Sequence, residues 1–318
     1  MAQQRGSTVQ LGMQVESAFA TNPGSPNLTL IPFTSESIKA GRASIIDETI
    51  TSSRNSKKAQ LQNWEVSGSI DCNLSETSHA WLIKALLGTN VTTGASDPYT
   101  HTIKVGPLYS YTLEKQFDVL TKFHLYQGLK FNKGTFKIDE SGFVTASFEV
   151  MGAKFGTSGT SFDSTITELA GYSAFTSFHA SITEGGSAIA TVKSIEFTID
   201  NSLDGDSFVI GGAGVRSAIN EGKCKVSGKM TLTYSDETVF AKAIAGTESA
   251  IVVTLSKGTT PARSIAITIP EIVYDIDSPD VPNDKGLVVD CPFNAFYDNA
   301  AEATSIQFVI LNGLATLG

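Results

Sequence analysis

One stretch of the chain occurs twice, and no fold that ignores this can be right. Trp64 to Gly88 reads WEVSGSIDCNLSETSHAWLIKALLG, and Cys224 to Gly246 reads CKVSGKMTLTYSDETVFAKAIAG. Val66-Ser67-Gly68 matches Val226-Ser227-Gly228, 160 residues on, and Lys84-Ala85 and Gly88 match Lys242-Ala243 and Gly246, 158 residues on. After each VSG triplet the residues alternate as a strand does. A serine then stands as candidate N-cap, Ser75 or Ser235, with Glu76 or Asp236 and Glu237 in the first turn expected behind it. Trp81, Leu82, Ala85 and Leu86 in one copy, and Val239, Phe240, Ala243 and Ile244 in the other, are spaced to make one apolar helical stripe. Glycine closes each helix, where a positive φ costs it little. A shared strand–helix–glycine unit of this length predicts an internal duplication.

The chain has 318 residues, which suits two domains. The expected division is a first unit over 1–155 with an N-terminal arm, a Gly/Ser/Thr-rich linker over 156–173, and a second unit over 174–318 ending in a strand. Apolar strands with alternating faces are expected at Val9–Glu16, Leu28–Phe33, His101–Val105, Ser110–Phe117, Gly128–Ile138 and Phe143–Met151 in the first unit. In the second they are expected at Ala174–Ile182, Ile189–Ile199, Ala250–Leu255, Ser264–Ile269, Leu287–Ala295 and Ser305–Leu311. Phe33-Thr34 and Phe197-Thr198 each precede a VSG triplet by about thirty residues and are read as equivalent. The fold class is therefore mainly β, two tandem sandwich or barrel units, each with one short helix and a long hairpin.

Charged residues are only 17% of the chain while hydrophobic ones are 41%. A surface filled with Ser, Thr and Gly suits burial in an assembly, where isolated charges are costly to desolvate; it equally suits a β domain with polar, uncharged faces. The net charge of −9 argues against a protein that grips nucleic acid, which needs clustered Lys and Arg. Three cysteines, Cys72, Cys224 and Cys291, are too scattered for a disulfide framework or a CxxC metal site. No 18-residue apolar run predicts a membrane span, and MAQQRGSTVQ lacks the apolar core of a signal peptide.

Little in the chain reads as chemistry. The four histidines, His79, His101, His124 and His179, fall singly on different elements, so no metal or cofactor is expected. Asp204-Gly205-Asp206 and the run Asp275, Asp277, Asp280, Asp284 carry oxygen ligands, but the spacing fits no EF-hand and reads as solvated acidic loop. Gly211-Gly212-Ala213-Gly214 is followed by a polar loop and not by the helix a phosphate cradle needs. No nucleophile elbow or triad order appears, so an enzyme is not indicated. Ile38–Gln62 reads as a long hairpin with Arg54, Lys57 and Lys58 near its tip. Those three are candidates for contact with the Asp275–Asp284 acids of a neighbouring copy.

The opening VQLGMQVESAFAT, then LIPFTSESI, then the polar stretch to NWEVSGSI, then the helix ending in KALLG, resembles the major tail tube proteins of phages with long, non-contractile tails. FKIDESGFVTASFEVMGAKF looks like the strand pair that closes the tube domain in that family. The family's Glu-x-x-Tyr/Phe-Gly-Thr opening stands here as Glu16 to Thr21, with Ala20 in place of the glycine. The resemblance covers Val9–Phe155 and Val192–Gly246. It implies a structural virion protein, assembled in the host cytoplasm, whose rings stack into a hollow tube with β-strands lining the channel and a small helix outside. Six tube domains make the usual ring, so a duplicated chain implies a trimeric pseudo-hexamer; the alternative is a hexamer whose second unit lies outside. Implied partners are other copies of the chain, the tape measure protein and DNA in the lumen, and the tail terminator and distal tail proteins. The channel strands are expected within Ile38–Ser69 and Phe197–Ser227. The rival readings are a single-ring tail terminator or adaptor, and a β-rich adhesin or carbohydrate-binding module; aromatic clusters on exposed loops would favour the adhesin, and the long loops here are aromatic-poor.

Overall fold

The computed structural model describes residues 3–258, 262–275 and 286–317. Its elements in chain order are β1 Val9–Val15, β2 Thr29–Leu30, β3 Ser35–Glu36, β4 Lys39–Ile45, β5 Gln60–Asn73, α1 Ala80–Leu87, β6 Gly88–Thr93, β7 Tyr99–Val105, β8 Tyr111–Phe117, β9 Lys122–Asp139, β10 Thr145–Gly152 and β11 Lys154–Ser158. They continue as β12 Ala180–Glu184, β13 Ser187–Ala188, β14 Val192–Asp200, β15 Lys225–Thr233, α2 Thr238–Ala245, β16 Ser249–Lys257, β17 Arg263–Tyr274, β18 Val288–Ala295 and β19 Gln307–Asn312. The protein is mainly β, and every pairing between these strands is antiparallel.

Two layers enclose the core. One runs β4-β5-β10-β9-β14-β15-β18. The other runs β6-β7-β19-β17-β16-β12, so the late strand β19 joins a hairpin of the first half to a hairpin of the second. Alternation decides which side chains meet between them. Ile265, Ile267 and Ile269 of β17 point inward, as do Phe131 and Phe136 of β9. Phe136 meets Phe308 of β19 across the layers, ring centroids 5.3 Å apart. Each such buried ring or branched chain stabilises the fold by about 1.5–3 kcal/mol.

The two VSG strands have the same neighbours. β5 lies between β4 and β10, and β15 lies between β14 and β18. A helix and a hairpin follow each of them: α1 with β6–β7, α2 with β16–β17. The triplet's glycine has a steric reason in both places. A Cβ on Gly68 would lie 2.5 Å from the Ile38 Cα, and one on Gly228 would lie 2.6 Å from the Glu196 carbonyl oxygen, so only glycine lets the preceding strand pass. This identifies Ile38, not Phe33, as the counterpart of Phe197, which faces Gly228 directly. Equal spacing in sequence does not give equivalent places there because β3 and the turn after it intervene.

Three other expectations are corrected. Neither Ser75 nor Ser235 is an N-cap: the helices begin later, at His79 and Glu237 as capping positions, without acidic residues in the first turn. Ser75 is instead held in the preceding turn by His79, and Asp236 accepts the Thr238 amide at 2.9 Å. The two helices are also unlike in burial. In α1, Leu82 and Leu86 are buried and Trp81 half-buried, with Ile83 and Leu87 buried as well, so the helix is enclosed within the chain. In α2, Val239 is buried and Phe240 half-buried, but Ile244 is 72% exposed and packs against nothing in the core. Finally, the strand expected over Leu28–Phe33 shrinks to β2, and that over Ala174–Ile182 begins only at Ala180.

Candidate assembly surface

The polar face of the first layer crosses the join between the halves without interruption. Strand register sets Glu149, Lys133, Asp200 and Lys225 side by side across β10, β9, β14 and β15. The next row is Ser147, Thr135, Thr198 and Ser227, in which the Thr135 and Thr198 hydroxyls lie 3.0 Å apart. The third is Thr145, Lys137, Glu196 and Lys229. Lys133 meets Asp200 at 3.4 Å, and Lys229 meets Asp290 at 3.0 Å. Opposite charges directly across strands support the pairing modestly, and the hydroxyl row adds to it. Asp71 gathers the edge of this face, accepting from Ser35 and Ser147 at 2.6 Å each.

At one end of this layer stands β4, which pairs on one side with β5. Among the described residues its outer side has no strand partner. Its counterpart β14 pairs with β15 on one side and with β9 on the other. An open strand edge of this kind is a template for pairing with another chain.

Between β4 and β5, residues 46–59 form an exposed arm that carries Arg54, Lys57 and Lys58. Lys57 reaches Asp47 within the arm at 2.9 Å. The Asp47 carboxyl is held down at about 2, chiefly by the Thr49 hydroxyl and then by Lys57. Asp275 is exposed at the end of β17, its amide donating to the Pro292 carbonyl at 2.9 Å. Asp277, Asp280 and Asp284 lie outside the described residues. No ion pair among the described residues joins the arm to Asp275, so the chain does not itself bring the two charge sets together.

Sequence reasoning missed Arg216. Its side chain is buried and donates to the Gly205 carbonyl at 2.6 Å, to the Gly152 carbonyl at 2.7 Å and to Glu65 at 2.6 Å. The guanidinium also covers the Phe208 ring. Loop 204–221 is thereby fastened onto β5 and β10, and Gly214 accepts the Trp64 amide at 2.8 Å at the base of the arm. The glycine run at 211–214 is a turn within that loop, with Val209 and Ile210 exposed at its tip. No periodicity marks Arg216; a lone arginine in a Gly- and Ser-rich loop was the one available signal.

The titratable groups are set for structure. His79 is buried and its pKa is lowered to about 4 by desolvation; Nδ1 accepts from the Ser75 amide at 3.0 Å and Nε2 donates to the Pro32 carbonyl at 2.9 Å. Burial lowers the pKa of His101 and His124 too. His179 accepts the Thr176 amide through Nδ1. Burial pushes the Cys224 and Cys291 thiols up to about 11 and Cys72 higher still. Among the described residues no group of three or more His, Cys, Asp or Glu is placed to hold a metal ion. No described helix is long and apolar enough to cross a membrane.

The family model described as phage tail tube protein matches residues 6–295. No curated protein matches the chain. The matched span takes in the arm, both VSG strands, both helices and the whole polar layer.

Proposed function

The chain belongs to the phage tail tube family, structural proteins of the virion tail, and from that we propose that three copies close into a pseudo-hexameric ring, which stacks into the tube. The observation that carries this reading is the join inside one chain. The first half meets the second by pairing β9 with β14 over Ser194–Asp200. β4 stands in the first half where β14 stands in the second, and its outer side is open. Repeating the same kind of pairing between chains would satisfy that edge and close a sheet around a hole, which removes edges altogether.

On this reading the two halves descend from one tube module, with 1–155 and 174–318 as the units and 156–173 between them. The polar layer faces the channel. Its carboxylates, among them Asp71, Asp139, Glu149, Glu196, Asp200 and Asp290, stand between amines, and the net charge of the chain is −9. DNA phosphates would pass such a wall without being held. The tape measure protein would occupy the channel before DNA, and terminator and distal tail proteins would meet the tube's ends. The arm's Arg54, Lys57 and Lys58 would contact an acidic surface of a neighbouring copy, for which the stretch Asp275, Asp277, Asp280 and Asp284 is one candidate. His79, His101 and His124, whose pKa burial lowers, and thiols whose pKa burial raises support a structural rather than a catalytic role.

Electron microscopy of the purified protein, with native mass measurement of the smallest ring, tests this. Long hollow fibres built from three-chain rings are expected. Isolated rings that never stack would favour a terminator, six-chain rings an outer second unit, and monomers would defeat the reading.

A further inference from the structure

The halves differ at one spot where their frames agree. In the first half the chain itself fills the space ahead of α1. The Leu74 amide donates to the Val144 carbonyl at 2.8 Å, and the Phe175 amide donates to the Leu74 carbonyl at 2.8 Å. The Val144 amide then donates to the Phe175 carbonyl at 3.0 Å. Phe175 is fully buried, with the Lys257 ammonium 4.4 Å from its ring centre, and Tyr172 sets its ring edge-on to His79. Residues 172–177 are thus an added segment, seated through one large ring.

The second half repeats the frame. The Tyr234 amide donates to the Leu287 carbonyl at 3.0 Å, as Leu74 does to Val144. Among the described residues nothing takes the place of 172–177. A cleft of about 200 Å³ lies there instead, walled by Ile189, Leu232, Tyr234, Val239, Phe240 and Val289. Ile244, one turn beyond Phe240 on the same face of α2, extends its apolar wall into the open. Asp236 lines its mouth and Glu237 is the next residue, both exposed.

We propose that this cleft is the seat for the 46–59 arm of a second copy of the chain, with Ile50 in the apolar space and Arg54 and Lys58 over Asp236 and Glu237. The inference rests on the self-assembling reading and adds the receiving surface to it. Three observations select the arm. It has no helix or strand of its own, and seven residues out and back can reach about 23 Å from the end of β4. Ile50 is 97% exposed, with Ile45 and Ile46 exposed behind it, a cost the free chain bears with no return. Its basic residues match the acidic mouth, whereas the exposed apolar loop tip Val209-Ile210 follows Asp204 and Asp206 and would bring like charge.

The test pairs I50C with F240C in the full chain, oxidised mildly after assembly and run on a non-reducing gel. Chain-to-chain disulfides at least tenfold above either single variant are expected. Assembly without that increase overturns the proposal and leaves the tube reading standing; failure of the wild-type chain to assemble would defeat both. A second variant, A188W, fills the cleft from an exposed position. It should raise the concentration needed for assembly tenfold or more with an unchanged circular dichroism spectrum. Assembly at the wild-type concentration would likewise overturn the proposal.

Discussion

Phe136 lies directly opposite Phe197 across the strand pair that joins the two halves, their rings stacked with centroids 5.2 Å apart and planes 13° from parallel. Phe148 meets the same Phe136 ring edge-on at 5.6 Å. The halves are therefore held by a sheet and a common aromatic core as well as by the connecting segment. Phe197→Ala should lower stability by about 3–5 kcal/mol, because the vacated space is walled by β-strands that cannot collapse into it. Urea unfolding followed by circular dichroism measures this; a loss below about 1 kcal/mol would mean that the stacked pair is not what couples the halves.

Ala20 occupies a conformation that favours glycine, with φ at +54°. Its amide donates to Glu16 at 2.9 Å, and the same carboxylate accepts from the Thr112 hydroxyl and the Gly128 amide, each at 2.9 Å. The backbone is held in the left-handed region by that buried carboxylate. Left-handed geometry costs a residue with a Cβ about 1–2 kcal/mol, and glycine's greater freedom when unfolded returns about half of it. Ala20→Gly should thus stabilise the chain by about 0.5–1 kcal/mol, visible as a thermal midpoint raised by a few degrees. A lowered midpoint would place the strain elsewhere.

The repeated unit was legible because a strand, a helix and a closing glycine leave periodic marks in 25 residues. What surrounds the two copies was not, since it arrives from far along the chain. α1 packs on β9, β6 and β7, whereas among the described residues α2 packs chiefly on β17, so the same apolar stripe yields a buried Leu86 and an exposed Ile244. Lys84 and Lys242 match in sequence yet reach the Leu317 carbonyl and Glu184 respectively. The basic arm was legible as a hairpin tip. Arg216 was not, because its partners Gly152 and Glu65 belong to strands 64 and 151 residues away.

Arg216 ties a long loop of the second half to strands of the first. Its ion pair with Glu65 is half open to water and contributes little; the buried Gly152 carbonyl and the part-buried Gly205 carbonyl it satisfies matter more. Arg216→Met keeps the stem and removes those donors. A loss of about 2 kcal/mol is expected, together with faster proteolysis within 204–221 under native conditions. Unchanged cleavage would show that the loop is held by other contacts.

His79 should make the fold sensitive to mild acid. Its folded pKa is near 4, below the ordinary 6.5, so the unfolded chain binds the extra proton first. Stability is then complete above about pH 6.5 and falls as the pH drops toward 4, by on the order of 3 kcal/mol. Carboxylates with lowered pKa, such as Glu271 and Asp290, weaken the fold only further down, below their ordinary range. His79→Gln should be less stable at pH 7 but show a flatter slope between pH 6.5 and 4.5. Equal slopes would remove His79 from the account.

Charge reversal on the arm separates folding from assembly. Lys57 pairs with Asp47 at an exposed site, and such pairs contribute little to stability. Lys58 and Arg54 are exposed as well. Lys57→Glu with Lys58→Glu should therefore leave the unfolding midpoint of the single chain within about 0.5 kcal/mol of the parent. If the arm meets an acidic surface on a neighbouring copy, the same change sets four more units of like charge per chain against that surface, and sedimentation should find rings or single chains where the parent forms fibres. Raising the salt should weaken assembly of the parent by screening the attraction, and partly restore the variant by screening the repulsion. Fibres of normal length from the variant at low salt would rule out the contact.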